Sequence, residues 1–182
     1  MDRPVRGAPY LYDFRESDSA PPWPCDAHAA SDTEAWYRGI DIDAPPAHVF
    51  RWLCQLRVAP YSYDWIDNFG RQSPLVRSPE LEALEVGQTI MSIFGLLDWT
   101  PGASLTIATR DAGHRLFGKL VLTYRVTAAE EETRLAVKLR APCSPELGKR
   151  AARYALAWGD WVMMRKQLLT LRARAESDCP VR

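Results

Sequence analysis

Side chains alternate over Trp36–Ile42, near the start of the chain, and this period of two predicts a β-strand. One side of the strand carries Trp36, Arg38, Ile40 and Ile42, and the other carries Tyr37, Gly39 and Asp41. The spacing changes to that of a helix after the pair Pro45-Pro46, because a first helical turn does not need the N–H groups that proline lacks. The apolar stripe of this helix is formed by Val49, Phe50, Leu53 and Leu56. Pro60 ends the helix, and a second short helix is predicted over residues 61–68.

The middle of the chain predicts four further strands, at residues 89–94, 104–110, 115–126 and 134–140. Asp111–His114 and Ala128–Glu132 are predicted turns between them. A long helix is predicted from Pro145 to about Glu176, and its 3.6-residue stripe is Leu147, Ala151, Tyr154, Ala155, Trp158, Val162, Arg165 and Leu169. Because residues 88–140 leave no room for helices between the strands, this order of elements predicts the α+β class.

Residues 1–32 are predicted to form an extended N-terminal arm, because proline blocks both helix and sheet hydrogen bonding. The prolines of this segment are Pro4, Pro9, Pro21, Pro22 and Pro24. Its aromatic residues, Tyr10, Tyr12, Phe14 and Trp23, predict that part of the arm packs on the body or on a second subunit. One folded domain is predicted over residues 33–176, with a C-terminal tail at 177–182.

Several motifs occur in a recognisable order. Ile40–Leu53 fits the pattern I-x-I-x-A-P-P-x-x-V-[FW]-x-W-L, which resembles the opening of the START-like superfamily of polyketide cyclases, dehydrases and lipid transporters (SRPBCC). The run Tyr61–Trp65 is similar to a bacterial subset of that superfamily. Leu84–Gly87 resembles its L-x-V-G-D motif, with Gln88 in place of the aspartate, and Thr133–Leu135 resembles its T-R-L motif.

The resemblance covers about residues 33–175 and implies a helix-grip fold. In that fold a curved antiparallel β-sheet wraps around a long C-terminal α-helix, and two short helices follow the first strand. The resemblance also implies a deep apolar cavity under the long helix, and hence a protein that holds a hydrophobic small molecule.

Composition narrows the function further. The 182 residues suffice for one domain with a core, and 23 basic and 23 acidic residues give a formal net charge of zero. A neutral chain has no general attraction to nucleic acid, so no nucleic-acid partner is expected. No apolar run approaches the ~18 residues of a membrane span, so no membrane insertion is expected. Without a secretory signal pattern, a cytoplasmic location is expected.

No metal or other cofactor is predicted. The four cysteines and three histidines show no metal-ligand spacing, and neither a glycine-rich phosphate loop nor a dinucleotide fingerprint is present. The serines have no histidine and aspartate partners that spacing alone would reveal. If the protein is an enzyme, tyrosine, aspartate and arginine residues must therefore supply the chemistry.

The candidate ligand-binding residues come from three parts of the chain. Those implied at the mouth of the cavity are Tyr61, Tyr63 and Trp65, and those implied in its wall are Trp99, Tyr154, Trp158 and Val162. Arg165 either binds an acidic group of the ligand, pairs with Asp64 or Asp67, or extends into solvent from the flank of the helix. The alternative for the aromatic residues is packing in the core, and for Asp64 it is capping of local backbone groups.

Three functions follow as hypotheses. The first is binding of a lipid, polyketide or aromatic metabolite in an internal apolar cavity. The second is a polyketide cyclase or dehydratase acting on a poly-β-ketone intermediate, in which Tyr61, Tyr63 or Asp64 polarises a carbonyl or moves a proton. The third is a non-catalytic accessory protein that binds a partner, with a homodimer formed through the N-terminal arm as one possibility.

Overall fold

The computed structural model of the protein describes residues 7–20, 22–67, 70–130, 132–143 and 146–179. Its strands are β1 (Leu11–Tyr12), β2 (Thr33–Ile42), β3 (Thr89–Ile90), β4 (Phe94–Thr100), β5 (Ser104–Thr109), β6 (Val121–Ala128) and β7 (Thr133–Pro142). Its helices are α1 (Pro24–His28), α2 (Pro46–Cys54), α3 (Asp64–Asp67), α4 (Asp111–Phe117) and α5 (Leu147–Ser177). Short 3₁₀ turns lie at Glu16–Ser19, Gln55–Arg57 and Pro79–Glu82.

The described strands form one seven-stranded sheet in the order β1-β2-β7-β6-β5-β4-β3. All neighbouring strands are antiparallel except β1 and β2, which are parallel. The longest pairing joins β2 to β7, where Trp36 lies opposite Leu139 and Ile40 opposite Leu135. The predicted α+β class is therefore confirmed.

The main core lies between one face of the sheet and α5. Trp36, Ile40 and Ile42 of β2 are at most 3% exposed on this face, as the alternation in the sequence predicts. The residues of α5 buried against the sheet are Ala157, Met164, Leu168, Leu171 and Ala175. Their spacing of three, four and seven residues places them on one side of the helix.

The predicted inner stripe of α5 is the wrong face of that helix. Tyr154, Trp158 and Val162 are 50%, 40% and 42% exposed, so they do not pack on the sheet. The chain offers two apolar stripes on α5, and the one that contains Leu168 and Leu171 stays apolar to the end of the helix. The predicted stripe carries the charged Arg165, whereas the buried one is apolar from Met164 to Ala175, so its burial removes more apolar surface from water.

Some predicted elements differ in their boundaries. The predicted turn 111–114 and the start of the predicted strand 115–126 form the helix α4 instead, and β6 begins only at Val121. The predicted strand 89–94 is only β3, and β4 follows it after a turn in which Met91 and Ser92 have positive φ angles. The second short helix is limited to α3, while Asn68 and Pro145 lie outside the described residues.

The N-terminal arm packs on the opposite face of the sheet. Phe14 and Trp23 contact Tyr37 of β2 with ring centroids 5.2 and 6.3 Å apart, and Cys25 is fully buried beside them. The guanidinium of Arg125 lies 3.7 Å from the centre of the Trp23 ring. The aromatic residues of the arm thus contribute to a second, smaller core on their own chain.

Ion pairs fix the arm to the same face. Arg134 of β7 contacts Asp13 and Asp18 of the arm at 3.1 and 2.6 Å, and Lys138 contacts Asp26 at 2.7 Å. Both cations are buried, with 7% and 6% of their side chains exposed. Because a buried charge needs an opposite charge nearby, the acidic arm and the basic face of β7 match each other.

Among the described residues, no helix is both long enough and apolar enough to cross a membrane.

His48 in the first turn of α2 makes stability depend on pH. Burial lowers the pKa of this imidazole below its ordinary value of 6.5. Of the surrounding charges, Asp178 and Glu82 raise that pKa, and Arg77 and Arg51 lower it. The unfolded chain therefore binds more protons than the folded chain below about pH 6.5, so stability falls as the pH drops through that range.

We expect the free energy of unfolding of the parent to decrease from pH 7.5 to pH 5.5 more steeply than that of a His48→Asn variant. One proton sets the upper limit of the difference, about 1.4 kcal/mol per pH unit. Urea unfolding at both pH values measures it, and His28→Asn, at an exposed position, is the matched control. Identical pH slopes for the parent and the His48 variant would contradict the prediction.

Candidate functional site

A groove of about 660 Å³ lies between three elements at the N-terminal half of α5. Its walls are α4, the last residues of β7 and the second and third turns of α5. The apolar side chains that line it are Leu116, Phe117, Ala141, Pro142, Ala152 and Leu156. The polar ones are His114, Arg115, Cys143 and Arg153. The groove therefore offers an apolar wall with a few polar groups, and its basic residues lie on α4 and α5.

Gly118 brings α4 close to β7 and so forms one wall of the groove. Its φ angle of +76° is a conformation that residues with a side chain rarely adopt. In this conformation the Gly118 N–H donates to the carbonyl of His114 at 2.9 Å, which ends α4. A Cβ atom at position 118 would also lie 3.0 Å from Cγ of Pro142. Glycine is thus required here for both the turn and the close approach.

Arg153 forms the polar end of the groove together with Glu34 of β2. Nε of Arg153 lies 2.8 Å from Oε1 of Glu34, and the indole N–H of Trp36 donates to the same oxygen at 2.9 Å. Nη1 of Arg153 is buried and has no hydrogen-bond partner among the described residues. An unpaired buried donor costs free energy, so this guanidinium is suited to donate a hydrogen bond to a further anionic or polar group.

The predicted mouth residues of the cavity occupy different environments. Tyr61 is 1% exposed in the main core, with its ring 6.0 Å from that of Trp52. Burial raises the pKa of Tyr61 to about 12, and its hydroxyl has no described hydrogen-bond partner. Tyr63 is half-buried, and Trp65 is 76% exposed. Only Tyr61 of these three therefore lies in the interior.

Asp64 stabilises the loop around it. Its two carboxylate oxygens accept hydrogen bonds from the backbone N–H and the hydroxyl of Ser73, at 2.8 and 2.5 Å. Its carbonyl accepts the N–H of Gly70 at 2.8 Å. These contacts are the local capping that the sequence offered as an alternative to catalysis. The side chain of Asp67 lies outside the described residues.

The predicted wall residues on α5 form a row on its outer side. Ring centroids are 6.4 Å apart between Tyr154 and Trp158, and 5.8 Å apart between Trp158 and Trp161. Trp161 continues the row to Tyr12 of the arm, at 5.8 Å. The guanidinium of exposed Arg165 lies 5.8 Å from the Tyr12 ring. Tyr154, Trp158 and Arg165 thus share one face of α5, toward the arm and solvent.

The two groups of predicted site residues lie near opposite halves of α5. The side-chain amide of Gln167 donates to the carbonyl of Pro60 at 2.6 Å, which places Tyr61 beside the C-terminal half of the helix. Tyr154 lies 13 residues before Gln167, or about 20 Å along a helix that rises 1.5 Å per residue. Trp99, half-buried on β4, packs against the main core. The structure does not bring these residues together at one site, and their role in binding stays a prediction.

The buried polar residues under α5 pair with each other. The Tyr124 hydroxyl contacts Oε1 of Gln167 at 2.6 Å, and burial raises the pKa of this phenol above its ordinary range. Arg38 contacts Asp160 at 2.7 Å, and the Arg38 side chain is 1% exposed. Each pair joins a residue of the sheet to a residue of α5, so these contacts position α5 on the sheet.

The sequence reasoning missed the residues that line the groove. The sequence predicts Leu116 and Phe117 within a strand and His114 in a turn, and the structure places all three in α4. One local signal was available, because Asp111 and Gly118 bracket α4 as acidic N-terminal and glycine C-terminal residues. The approach of α4 to β7 and α5 depends on contacts between distant segments and leaves no local pattern.

The exposure of Trp158 predicts a small effect of its removal. We expect Trp158→Ala to lower the free energy of unfolding by about 1–2 kcal/mol, because the indole keeps only partial burial and two ring contacts. Trp36→Ala, at a fully buried position, is the matched control and should cost about 3–5 kcal/mol. Urea unfolding measures both, and equal losses would contradict the prediction.

No group of three or more histidine, cysteine, aspartate or glutamate residues in the described part of the chain is arranged to hold a metal ion.

No protein-family model matches the chain, and a search of curated proteins finds no match. Solved structures do match. Protein MLL2253 from Mesorhizobium loti has 15% sequence identity and a TM-score of 0.51, over 81% of this chain and 100% of its own. A protein from Thermobifida fusca has 13% identity and a TM-score of 0.51, over 81% of this chain and 97% of its own.

A third similar structure is the di-domain ARO/CYC StfQ from the steffimycin biosynthetic pathway. It has 11% identity and a TM-score of 0.51, and the match covers 84% of this chain and 53% of StfQ. At these identities the likeness concerns the fold. With the sheet and the long C-terminal helix described above, it confirms the predicted architecture: the chain has the START-like helix-grip fold.

Proposed function

We propose that the protein binds an apolar small molecule in the groove between α4, β7 and α5. The observation that carries this proposal is the groove itself, whose volume of about 660 Å³ is that of a small-molecule site. Pockets for such ligands measure about 300–1,000 Å³ and combine apolar walls with a few polar groups. Leu116, Phe117 and Leu156 supply the apolar wall here, and His114 and Arg153 supply polar groups.

The groove differs in place from the cavity that the sequence led us to expect. Under the C-terminal half of α5, Met164, Leu168 and Leu171 are at most 7% exposed and fill the space against the sheet. Close-packed side chains leave little room for a ligand there. The proposed ligand therefore lies beside the N-terminal half of α5, where α4 and the end of β7 stand apart from it.

Filling the groove tests this function. Ala152 lines the groove on α5, and Ala155, one turn along the same helix, is exposed outside the lining. We expect the neutral fluorescent probe Nile red to gain fluorescence with the parent protein and to lose that gain with Ala152→Trp. Ala155→Trp is the matched control and should behave as the parent. The proposal fails if the probe does not bind, or if both tryptophan variants bind it equally.

A polyketide cyclase or dehydratase is the second candidate. The fold similarity to the ARO/CYC protein StfQ favours it. In the groove, His114 is the side chain best suited to general acid–base chemistry, because an imidazole can both donate and accept a proton. Incubation of the protein with a poly-β-ketone produced by a polyketide synthase tests this candidate. We expect the parent and His114→Ala to give different sets of cyclised products. The same products from both proteins contradict catalysis by His114.

Partner binding is supported by a different surface. Tyr154, Trp158 and Val162 each expose 40–50% of their surface, and together they form a contiguous apolar patch on one face of α5. The aromatic residues of the arm instead pack on their own chain, so this face of α5 is the better candidate for a homodimer. Light scattering of the parent and of Trp158→Ser measures the oligomeric state, and a monomer in both cases rules out a homodimer through this face.

A further inference from the structure

We infer that the ligand of the groove is an amphipathic anion, with its acidic group at Arg153 and its apolar body along α4. This inference rests on the proposed function and adds the chemical class of the ligand. It starts from the charges around the groove. Two of the described lining side chains, Arg115 and Arg153, are cationic, and the carboxylate that pairs with them among the described residues is Glu34, which contacts Arg153 alone. Charge complementarity therefore favours a negatively charged ligand.

The two arginines differ in the partners they already have. Arg115 has no ion pair or side-chain hydrogen bond with any described residue, so its charge is uncompensated at the edge of the groove. Arg153 is paired through Nε with Glu34, but its buried Nη1 has no partner in the described part of the chain. A carboxylate or phosphate in the groove supplies a further acceptor for this guanidinium.

The rest of the groove suits an apolar body. Leu116 and Phe117 are 73% and 37% exposed on α4, and a ligand that covers them removes apolar surface from water. Leu156 and Ala152 face them from α5, on the same side of the helix as Arg153. A molecule with one acidic end and an apolar chain or ring system satisfies both the guanidinium and this wall.

Glu34 provides a test with an effect of opposite sign. It competes with the ligand for the positive charge of Arg153, since its Oε1 lies 2.8 Å from Nε. Glu34→Gln should therefore strengthen the binding of an anion, whereas Arg153→Gln should weaken it. If the contact between Glu34 and Arg153 were purely structural, both substitutions would weaken binding of the anion.

The experiment compares the fluorescence titration of cis-parinaric acid with that of its neutral methyl ester. We expect the parent to bind the acid about tenfold or more tightly than the ester at low salt, because hydrogen bonds to a charged group are strong. Arg153→Gln should reduce this preference to about onefold, and Glu34→Gln should increase it. High salt should weaken the binding of the acid and leave that of the ester nearly unchanged.

The outcomes separate the two proposals. If acid and ester bind equally, or if Arg153→Gln keeps the preference for the acid, the anionic class is wrong while binding of apolar molecules stands. If neither probe binds, and Nile red does not bind either, the proposed function fails and the inference fails with it. Hexyl phosphate, added as a competitor, shows whether a phosphate displaces cis-parinaric acid from the parent. Weaker competition in Arg153→Gln than in the parent shows that the phosphate binds at Arg153.

Discussion

Replacing Asp160 with alanine is expected to lower the free energy of unfolding by about 3–5 kcal/mol, because it leaves the buried Arg38 guanidinium without a counter-charge. Arg38 is 1% exposed between β2 and α5, and Nη2 lies 2.7 Å from Oδ2 of Asp160. The remaining acceptors are backbone carbonyls, at 2.6 Å for Tyr10, 2.9 Å for Tyr37 and 2.9 Å for Pro9. These are uncharged, so they do not replace a carboxylate.

Burial also disfavours the charged form of the Asp160 carboxyl. Burial raises its pKa above the ordinary value, and the contact with Arg38 opposes this change. A double variant, Arg38→Met with Asp160→Leu, removes both charges and should recover most of the stability lost in Asp160→Ala. Guanidinium chloride unfolding of the parent, Arg38→Met, Asp160→Leu and the double variant completes the cycle. A loss below about 1 kcal/mol in Asp160→Ala would show that the pair is solvated like a surface ion pair.

Replacing Arg134 with methionine is expected to cost a similar amount, about 3–5 kcal/mol, and to release the arm from the sheet. The guanidinium contacts Asp13, Asp18 and Asp41, and the Asp18 side chain is only 5% exposed. Burial alone would lower the pKa of Arg134, but Asp18 and Asp13 raise it above its ordinary value. Without this cation, buried Asp18 has lost its charged partner.

Urea unfolding measures the loss in Arg134→Met, and limited proteolysis reports cleavage within residues 7–29. Arg15→Met is the matched control, because Arg15 pairs with the same Asp41 while half of its side chain is exposed. That control should cost less than about 1 kcal/mol, as exposed ion pairs do. If the arm of Arg134→Met resists the protease as well as the parent does, the ion pairs do not hold it.

The parts of the fold that follow from local periodicity were predictable. The alternation in β2 places Trp36, Ile40 and Ile42 on one face, and the structure buries that face under α5, while the arm covers Tyr37 on the other. The face of α5 was not predictable in this way. The helix has apolar residues on two sides, and the choice depends on distant partners, such as Arg38 for Asp160 and Tyr124 for Gln167.

The groove was beyond local reasoning for a related reason. Its lining comes from α4, β7 and α5, segments that the chain order separates and that only the fold brings together. Short apolar runs such as Leu116-Phe117 suit a strand and a helix equally well. Only Asp111 and Gly118, at the two ends of α4, favour the helix. The motifs around Ile40–Leu53 predicted the fold and not the position of the binding site, because fold alone does not determine function.

The two edges of the sheet bear on the solution behaviour of the protein. Both outermost strands, β1 and β3, are only two residues long. Long open edges are the usual starting point for aggregation and fibril growth, because their free N–H and C=O groups pair with another molecule. At the β1 edge, a foreign strand that pairs along the whole of β2 must displace Leu11 and Tyr12 from Tyr37 and Arg38. Loss of the arm should therefore appear first as turbidity and dye-positive aggregates at high protein concentration.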